Sequence, residues 1–352
     1  MRLTPSTLQQ LRLLGLLVAV SAAVGAAYSL ARLGPGDGVL LAVASGASIG
    51  ATISACVTGF ELFVAGRGFA QGGRRLPFAA ALLLRMAVYG AVILAALVVL
   101  PWVWYGRPLS LLRPGIAGDA AFSLAASFVV VSLMSIVRLI GPGTLASLLT
   151  GRYYRPREEA RIVLFLDLVG STGIAERIGD VAFHALLSDT FTILSRAVTD
   201  AGGQVYRYVG DAMIATWPLG PTPEKAAENA RALACILACR AALDAAAPIL
   251  LRRHGHVPAF RAGLHAGPVV AGEVGGFKRE IALLGDTMNT AARIESACRD
   301  TGRPILASRT LIDACALPPD IAVTDAGTHL LRGKREAMEL MALDRVAASD
   351  KR

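Results

Sequence analysis

Lysine is missing from the first 150 residues of this 352-residue chain, and acidic side chains are nearly so: ten Arg stand against Asp37, Glu61 and Asp119. That front part carries +7 of the formal net charge of +9, set amid long apolar runs. Basic charge distributed in this way belongs to membrane-embedded chain with charged flanks, and it excludes nucleic acid as the partner. Cysteine is scarce too, five in all, and no His or Cys lies at zinc-site spacing from Cys235 and Cys239. Those two sit one helical turn apart and read as small core residues, with Cys56, Cys298 and Cys315 as reduced thiols. No internal repeat or low-complexity tail interrupts the chain beyond an alanine-rich bias.

What the front part does have is four segments long and apolar enough to cross a bilayer, at 11–31, 39–65, 79–103 and 120–141. Arg2 and Arg12, then Arg67, Arg74 and Arg75, then Arg138, Arg152, Arg155 and Arg157 fall on one side, with Arg32, Arg107 and Arg113 on the other. The positive-inside rule makes the first side the cytoplasm, and four spans return the rest of the chain to it. A second reading takes residues 1–30 as a cleaved signal peptide, leaving three spans and the same orientation for the C-terminal part. In the second segment Gly46, Gly50, Ser54 and Thr58 recur every four residues. They form a smooth face that another helix backbone can approach, unless they only mirror the local abundance of small residues. Glu61 and Arg85 lie at similar depths and are expected to pair inside the bundle.

Chemistry enters with Phe165-Leu166-Asp167-Leu168-Val169-Gly170-Ser171-Thr172, followed 44 residues after its Asp by Tyr208-Val209-Gly210-Asp211. An Asp beside Gly at a strand end usually just shapes a turn. Here the run Arg161 to Leu166 is too apolar for a surface strand, so the carboxylate that emerges from it needs a partner. Two such carboxylates can hold divalent cations against a triphosphate. Gly170, Ser171 and Thr172 open a helical pattern with Thr172 as N-cap, and a helix start beside a carboxylate suits phosphate plus metal. Further on, Asn289 and Arg293 share one helix face, where an amide and a guanidinium can orient a sugar and neutralise phosphoryl charge.

Together the pieces FLDLVGST, GGQVYRYVGDAMIATW, FRAGLHAGPVVAGEVG, LLGDTMNTAARIES and LLRGKREAMEL, in this order over slightly more than half the chain, resemble the catalytic domain of class III nucleotide cyclases. The resemblance implies an α/β ferredoxin-like cyclase domain, which follows the α-helical membrane bundle of four spans read from the apolar segments. That domain works as a head-to-tail homodimer with its active sites between protomers. It also implies two divalent cations, Mg²⁺ or Mn²⁺, held by Asp167, Asp211 and the backbone carbonyl of Leu168. Asn289 is then the ribose-orienting amide, Arg293 the group that stabilises charge at the α-phosphate, and Arg332 the cation for the terminal phosphates. Gly170, Ser171 and Thr172 are expected at the nucleotide.

Two positions depart from the family where it reads the base. Arg207 stands where adenine-specific members place Lys, and Ala282 where they place Asp or Thr. Arg207 donates to adenine N1 and cannot accept, and Ala282 offers nothing to the exocyclic amine. Because Arg207 cannot take the N1 and N2 protons of guanine, ATP is the expected substrate. A guanylate cyclase and a non-catalytic nucleotide-binding sensor or scaffold remain as alternatives, as does a solvated-surface reading of Arg207 and Arg332. Glu176, Asp286 and Glu295 are expected as helix-start or surface carboxylates, and His265 as structural.

The expected domains are membrane bundle 1–141, linker 142–159, catalytic domain 160–345 and tail 346–352. Pro142 ends the fourth span, and the Tyr-rich basic stretch from Gly151 is expected at lipid headgroups. Periodicity predicts a strand at 161–167, a helix from 172 to 201 and a hairpin at 204–217. Beyond it are expected a helix at 223–245, a strand at 259–265, a turn at 272–276, a helix at 286–301, and strands at 304–307 and 338–343.

Overall fold

The computed structural model describes residues 5–33, 38–65, 78–106, 115–140, 147, 150–220, 222–277 and 279–346. Arg2, Arg67, Arg74, Arg75, Arg107, Arg113, Pro142 and the tail from 347, on which parts of the charge and boundary expectations rest, lie outside these. The chain divides into two compact units that adjoin in sequence at residues 145–146.

The first unit is helical: α1 (Pro5–Ala31), α2 (Val39–Gly59, continued as a π-helical turn Phe60–Ala65), α3 (Phe78–Tyr105) and α4 (Ile116–Ile140). The small face of α2 is used as its spacing predicts. A Cβ on Gly46 would strike Ser29 and the carbonyl of Gly25, and one on Gly50 the carbonyl of Ser21, so α1 lies directly against α2. Glu61, on the π-helical turn and 1% exposed, faces Arg85 of α3 at 3.6 Å and accepts from the Tyr89 hydroxyl. A π-bulge here rotates the carboxylate into the bundle, where its charge is met.

Five helices among the described residues are long and apolar enough to cross a membrane, one more than expected. The fifth, Ala226–His254, belongs to the second unit. Its Leu233, Ile236, Leu243 and Leu250 are core residues there.

The second unit is α/β, in the order β1 (Arg157–Leu168), α5 (Ser171–Ile178), α6 (Asp180–Asp200), β2 (Gln204–Val209), β3 (Ala212–Pro218), α7 (Ala226–His254), β4 (Phe260–Val274), β5 (Glu280–Leu284), α8 (Asp286–Thr301), β6 (Ile305–Ser308), α9 (Arg309–Asp313), β7 (Ile321–His329) and β8 (Met338–Arg345). One sheet runs β2-β3-β1-β4-β6-β8-β7, with β5 added to the far half of β4. Among these strands only β4 and β6 pair in parallel.

The period of two along β1 assigns its faces. Ile162, Leu164, Leu166 and Leu168 join α6 and α7 in the main core, while Val163 and Phe165 join Met288 and Ala291 of α8 in a second. Asp167 therefore points to the α8 face.

Several boundaries differ from expectation for identifiable reasons. The helix expected over 172–201 is two helices, because Gly179 at φ +82° breaks it. β4 continues well past 265, since its outer half is paired by β5 on one side and by residues 157–160 of β1 on the other. In the stretch expected at lipid headgroups, Tyr154 is exposed and Tyr153 is not. Tyr153 is 6% exposed and packs in the second core, with its carbonyl accepting from the Glu273 N–H at 3.0 Å and its hydroxyl donating to Glu159 at 3.0 Å.

Candidate active site

Asp167 is the penultimate residue of β1, opposite Ala212 of β3 and Arg261 of β4. Asp211 occupies the two-residue hairpin Gly210–Asp211 between β2 and β3, which Gly210 permits at φ +61°. The two strands are neighbours, so both carboxylates sit at one end of the sheet, where the Leu168 N–H approaches the Asp211 carbonyl at 3.4 Å. The Leu168 side chain is buried in the main core, leaving its backbone at the same edge.

Arg261 organises this corner. Its Nη2 donates to Asp167 at 3.2 Å and its Nε to Glu295 of α8 at 3.1 Å. Glu295 thus departs from the surface role expected for it: its side chain is 13% exposed and ion-paired. The cause lies in Gly263, where a Cβ would overlap the backbone of Ala291 and Glu295, so that α8 rests on β4 and brings Glu295 over Arg261. One guanidinium does not balance the corner. Burial first, then the charges of Asp211 and Glu295, push the Asp167 carboxyl up to about 6 against the pull of Arg261.

That excess of negative charge is what a divalent cation relieves, and the residues fit one. Among the described residues no group of three or more His, Cys, Asp or Glu converges on one point. Two carboxylates and a backbone carbonyl at one sheet end are oxygen donors of the kind a hard divalent cation takes, with positions left for other ligands.

After β1, the chain turns at Gly170 (φ +67°), and α5 begins at Ser171. Gly170, not Thr172, is the N-cap, and no side chain caps the helix, so its first N–H groups have no side-chain acceptor. Thr172 lies in the first turn instead, because glycine makes the left-handed turn that ends the strand.

A second constellation surrounds the β4–β5 hairpin. The Tyr206 hydroxyl of β2 accepts from the Leu283 N–H at 2.9 Å, tying β2 to β5. This brings Arg207 to Glu280 at 2.8 Å, with Ala282 two residues further along β5 and 7% exposed. Glu280, which sequence reasoning did not single out, puts a carboxylate acceptor beside Arg207. Nothing in its local sequence marks it.

On α8, Asn289 is exposed and Arg293 half-buried, with the Arg293 guanidinium beside Gly333 in the turn that carries exposed Arg332. Lys334 in that turn pairs with Asp286, whose carboxyl this lysine holds below its ordinary range. Lys334 also escaped the sequence reading, although it lies in the same basic turn. Glu295 is about 200° around the helix from Arg293. Within this chain, α8 thus separates the carboxylate corner from the Asn289, Arg293 and Gly333 group.

His265 is structural, as expected: 8% exposed, it contacts Ser308 Oγ through Nδ1 at 2.8 Å, and burial holds it down to about 4. Cys235 and Cys239 are buried in the core with their sulfurs 4.0 Å apart.

The family described as adenylate and guanylate cyclase catalytic domain matches residues 153–344, more than half of the chain. The chain belongs to that family: it is a class III adenylate/guanylate cyclase catalytic domain joined to apolar helices, the arrangement of membrane-anchored bacterial-type cyclases. Adenylate cyclase 2 of Rhizobium meliloti (strain 1021) is 36% identical over 222 residues, 63% of this chain and 60% of that protein. Human retinal guanylyl cyclase 1 is 32% identical over 173 residues, 48% of this chain and 15% of that one. This chain therefore spans only part of the length of these relatives. A solved bacterial light-regulated adenylyl cyclase shares the fold, with a TM-score of 0.53 at 18% identity over 68% of this chain and 67% of its own.

Proposed function

We propose that the protein is a membrane-anchored adenylate cyclase that converts ATP to 3′,5′-cyclic AMP and pyrophosphate at a homodimer interface. The observation that carries this reading is the pair Asp167 and Asp211 at one sheet end, held against their mutual repulsion with Arg261 as the only cation paired to them among the described residues. Bound Mg²⁺ or Mn²⁺ supplies the Lewis acidity that activates the ribose 3′-hydroxyl and neutralises the phosphates. The 3′-oxygen bonds to the α-phosphorus as the bond to the β-phosphate oxygen breaks, pyrophosphate takes the electron pair, and the hydroxyl proton passes to solvent.

In this reading Asn289 orients the ribose, Arg293 stabilises charge on the α-phosphate, and Arg332 meets the terminal phosphates, where its fork suits phosphate oxygens. Gly170, Ser171 and Thr172 offer uncapped N–H groups to the triphosphate. Arg207 donates to adenine N1 and Glu280 accepts from the exocyclic amine beside Ala282. The separation of the two groups by α8 supports clefts built by two protomers. So do exposed apolar residues on the β4–β5 hairpin, Val270, Val274, Phe277 and Leu284, which need cover. The catalytic domain is ferredoxin-like, and four spans place it on the cytoplasmic side of the inner membrane.

A second reading is guanylate cyclase, which the Arg207–Glu280 pair also permits, since a carboxylate takes the N1 and N2 protons of guanine. Cyclic nucleotide formation from ATP and from GTP, with Mg²⁺ and Mn²⁺ in turn, separates the two. Cyclic AMP as the main product is the expected result. No product from either nucleotide overturns the enzymatic reading.

A further inference from the structure

The connection between β7 and β8 is fastened to α8 at more than one point. Leu331, 5% exposed, packs in a core with Ile294, Ala297 and Cys298 of that helix. Gly333 turns at φ +75°, a conformation that side chains oppose. It also approaches α8 so closely that a Cβ on it would lie 3.2 Å from Nη2 of Arg293. The Lys334 N–H closes the turn on the Leu331 carbonyl at 2.9 Å. The Lys334 ammonium then reaches the first residue of α8, where Asp286 Oδ2 accepts from it and from the Thr290 hydroxyl at 3.3 Å.

Helix geometry puts these contacts on one track. Arg293 follows Asp286 by seven residues, about 20° short of two full turns and about 10 Å along the axis. Asp286, Asn289, Thr290 and Arg293 therefore share a face, and the connection runs along it from Arg293 back to the start of the helix. Lys334 differs from the residues around it: its side chain is 21% exposed, whereas Arg332, Arg335 and Glu336 are exposed. His265 does not compete for Asp286, because burial first and then the charge of Lys334 keep its imidazole neutral. The Asp286 side chain is 70% exposed, and an ion pair so open to water adds little to folding stability. What the pair does contribute is register, since it fixes where Gly333 and its neighbour Arg332 stand relative to Arg293.

We propose that Lys334 is a positioning residue. Its pairing with Asp286 clamps the β7–β8 connection along α8, so that Arg332 and Arg293 are held at a fixed spacing for one triphosphate. The proposal rests on the catalytic reading above for the roles of Arg332 and Arg293, and adds that the second cation of the basic turn acts through a carboxylate of the protein instead of touching substrate.

The test compares the full-length wild type in phospholipid nanodiscs with Lys334→Met, Asp286→Asn and the double variant, by cyclic nucleotide formation and by hydrogen exchange over residues 330–337. Each single variant is expected to lower kcat/KM for the preferred nucleotide by about 10–100-fold, the loss that a misplacement of roughly 1 Å causes. The two losses are expected to be equal, and the double variant no worse than either, because both substitutions remove the same contact. Lys334→Arg keeps the pair and most of the activity. Exchange over 330–337 is expected to quicken in Asp286→Asn as the turn loosens, while circular dichroism confirms that each variant is folded. If Lys334 instead binds phosphate directly, Asp286→Asn leaves kcat/KM unchanged or higher; that result overturns the proposal, as do losses that multiply in the double variant. A wild type that forms no cyclic nucleotide sinks the enzymatic reading and leaves the clamp to the exchange measurement. Exchange over 330–337 unaltered by Asp286→Asn overturns the clamp in either case.

Discussion

Asp167→Asn is expected to stabilise the metal-free protein while destroying its affinity for divalent cations. The carboxyl is displaced from 3.8 to about 6 by burial and by Asp211 and Glu295, with Arg261 opposing. In free energy that displacement is about 3 kcal/mol, and this is what the ionised group costs the fold above neutrality. The side chain is 26% exposed, so solvent screening is modest. Because the folded-state value lies above the unfolded one, the native protein binds the proton more tightly, and the wild type loses stability as pH rises from about 4 to about 6. Asparagine does not titrate. The stability difference between variant and wild type is therefore near zero at pH 4, opens between pH 4 and 6, and is complete by pH 7. Loss of the Arg261 contact subtracts from it, leaving a net gain of about 1–3 kcal/mol. Urea titration of a fragment spanning residues 146–352 in EDTA, repeated across this pH range, measures the gap. Added Mn²⁺ is expected to raise the midpoint of the wild type and not of the variant. A variant equally or less stable than wild type at pH 7 refutes the claim that the corner holds unbalanced negative charge.

Three further outcomes are expected. Mixing an Asp167→Asn chain with an Arg293→Ala chain restores about a quarter of wild-type activity, since half of the dimers are mixed and each has one intact cleft; an inactive mixture excludes shared sites. Glu280→Ala lowers kcat/KM for ATP about tenfold and narrows the preference over GTP, because the exocyclic amine loses its acceptor; unchanged selectivity removes Glu280 from the base pocket. Tyr153→Ala lowers stability by about 3 kcal/mol, as for other large buried aromatics, measured by the same urea titration. A surface tyrosine at that position would show almost nothing.

Much of this architecture was legible in the sequence because single residues had unambiguous physical consequences. The run Ile162 to Leu166 demanded burial on both faces, and β1 is buried on both. The spacing of Gly46 and Gly50 allowed close backbone contact, and α1 supplies it. Glu61 demanded a partner, and found Arg85. What escaped depended on pairing between distant segments. The strand expected at 259–265 continues past Pro268, because residues on both sides of it are paired. β7 has few apolar residues and is defined by its register with β8. Glu295 reads as a surface acid and Glu280 is not singled out, because only the Tyr206 tie and the glycine beneath α8 bring them to Arg207 and Arg261. Arg261 did carry a signal, as the lone charge in the apolar stretch Phe260 to Leu264.

The Tyr153 anchor sets where this protein tolerates a change in chain length. Its carbonyl is fastened to Glu273 near the tip of β4, and its ring is wedged beside Val269 and Leu283. Residues spliced in ahead of Gly151 merely add slack upstream of a fixed clasp. The same residues inserted between Tyr153 and Arg157 must either unfasten that clasp or push β1 out of step with β4, which makes those few positions the true threshold of the enzyme.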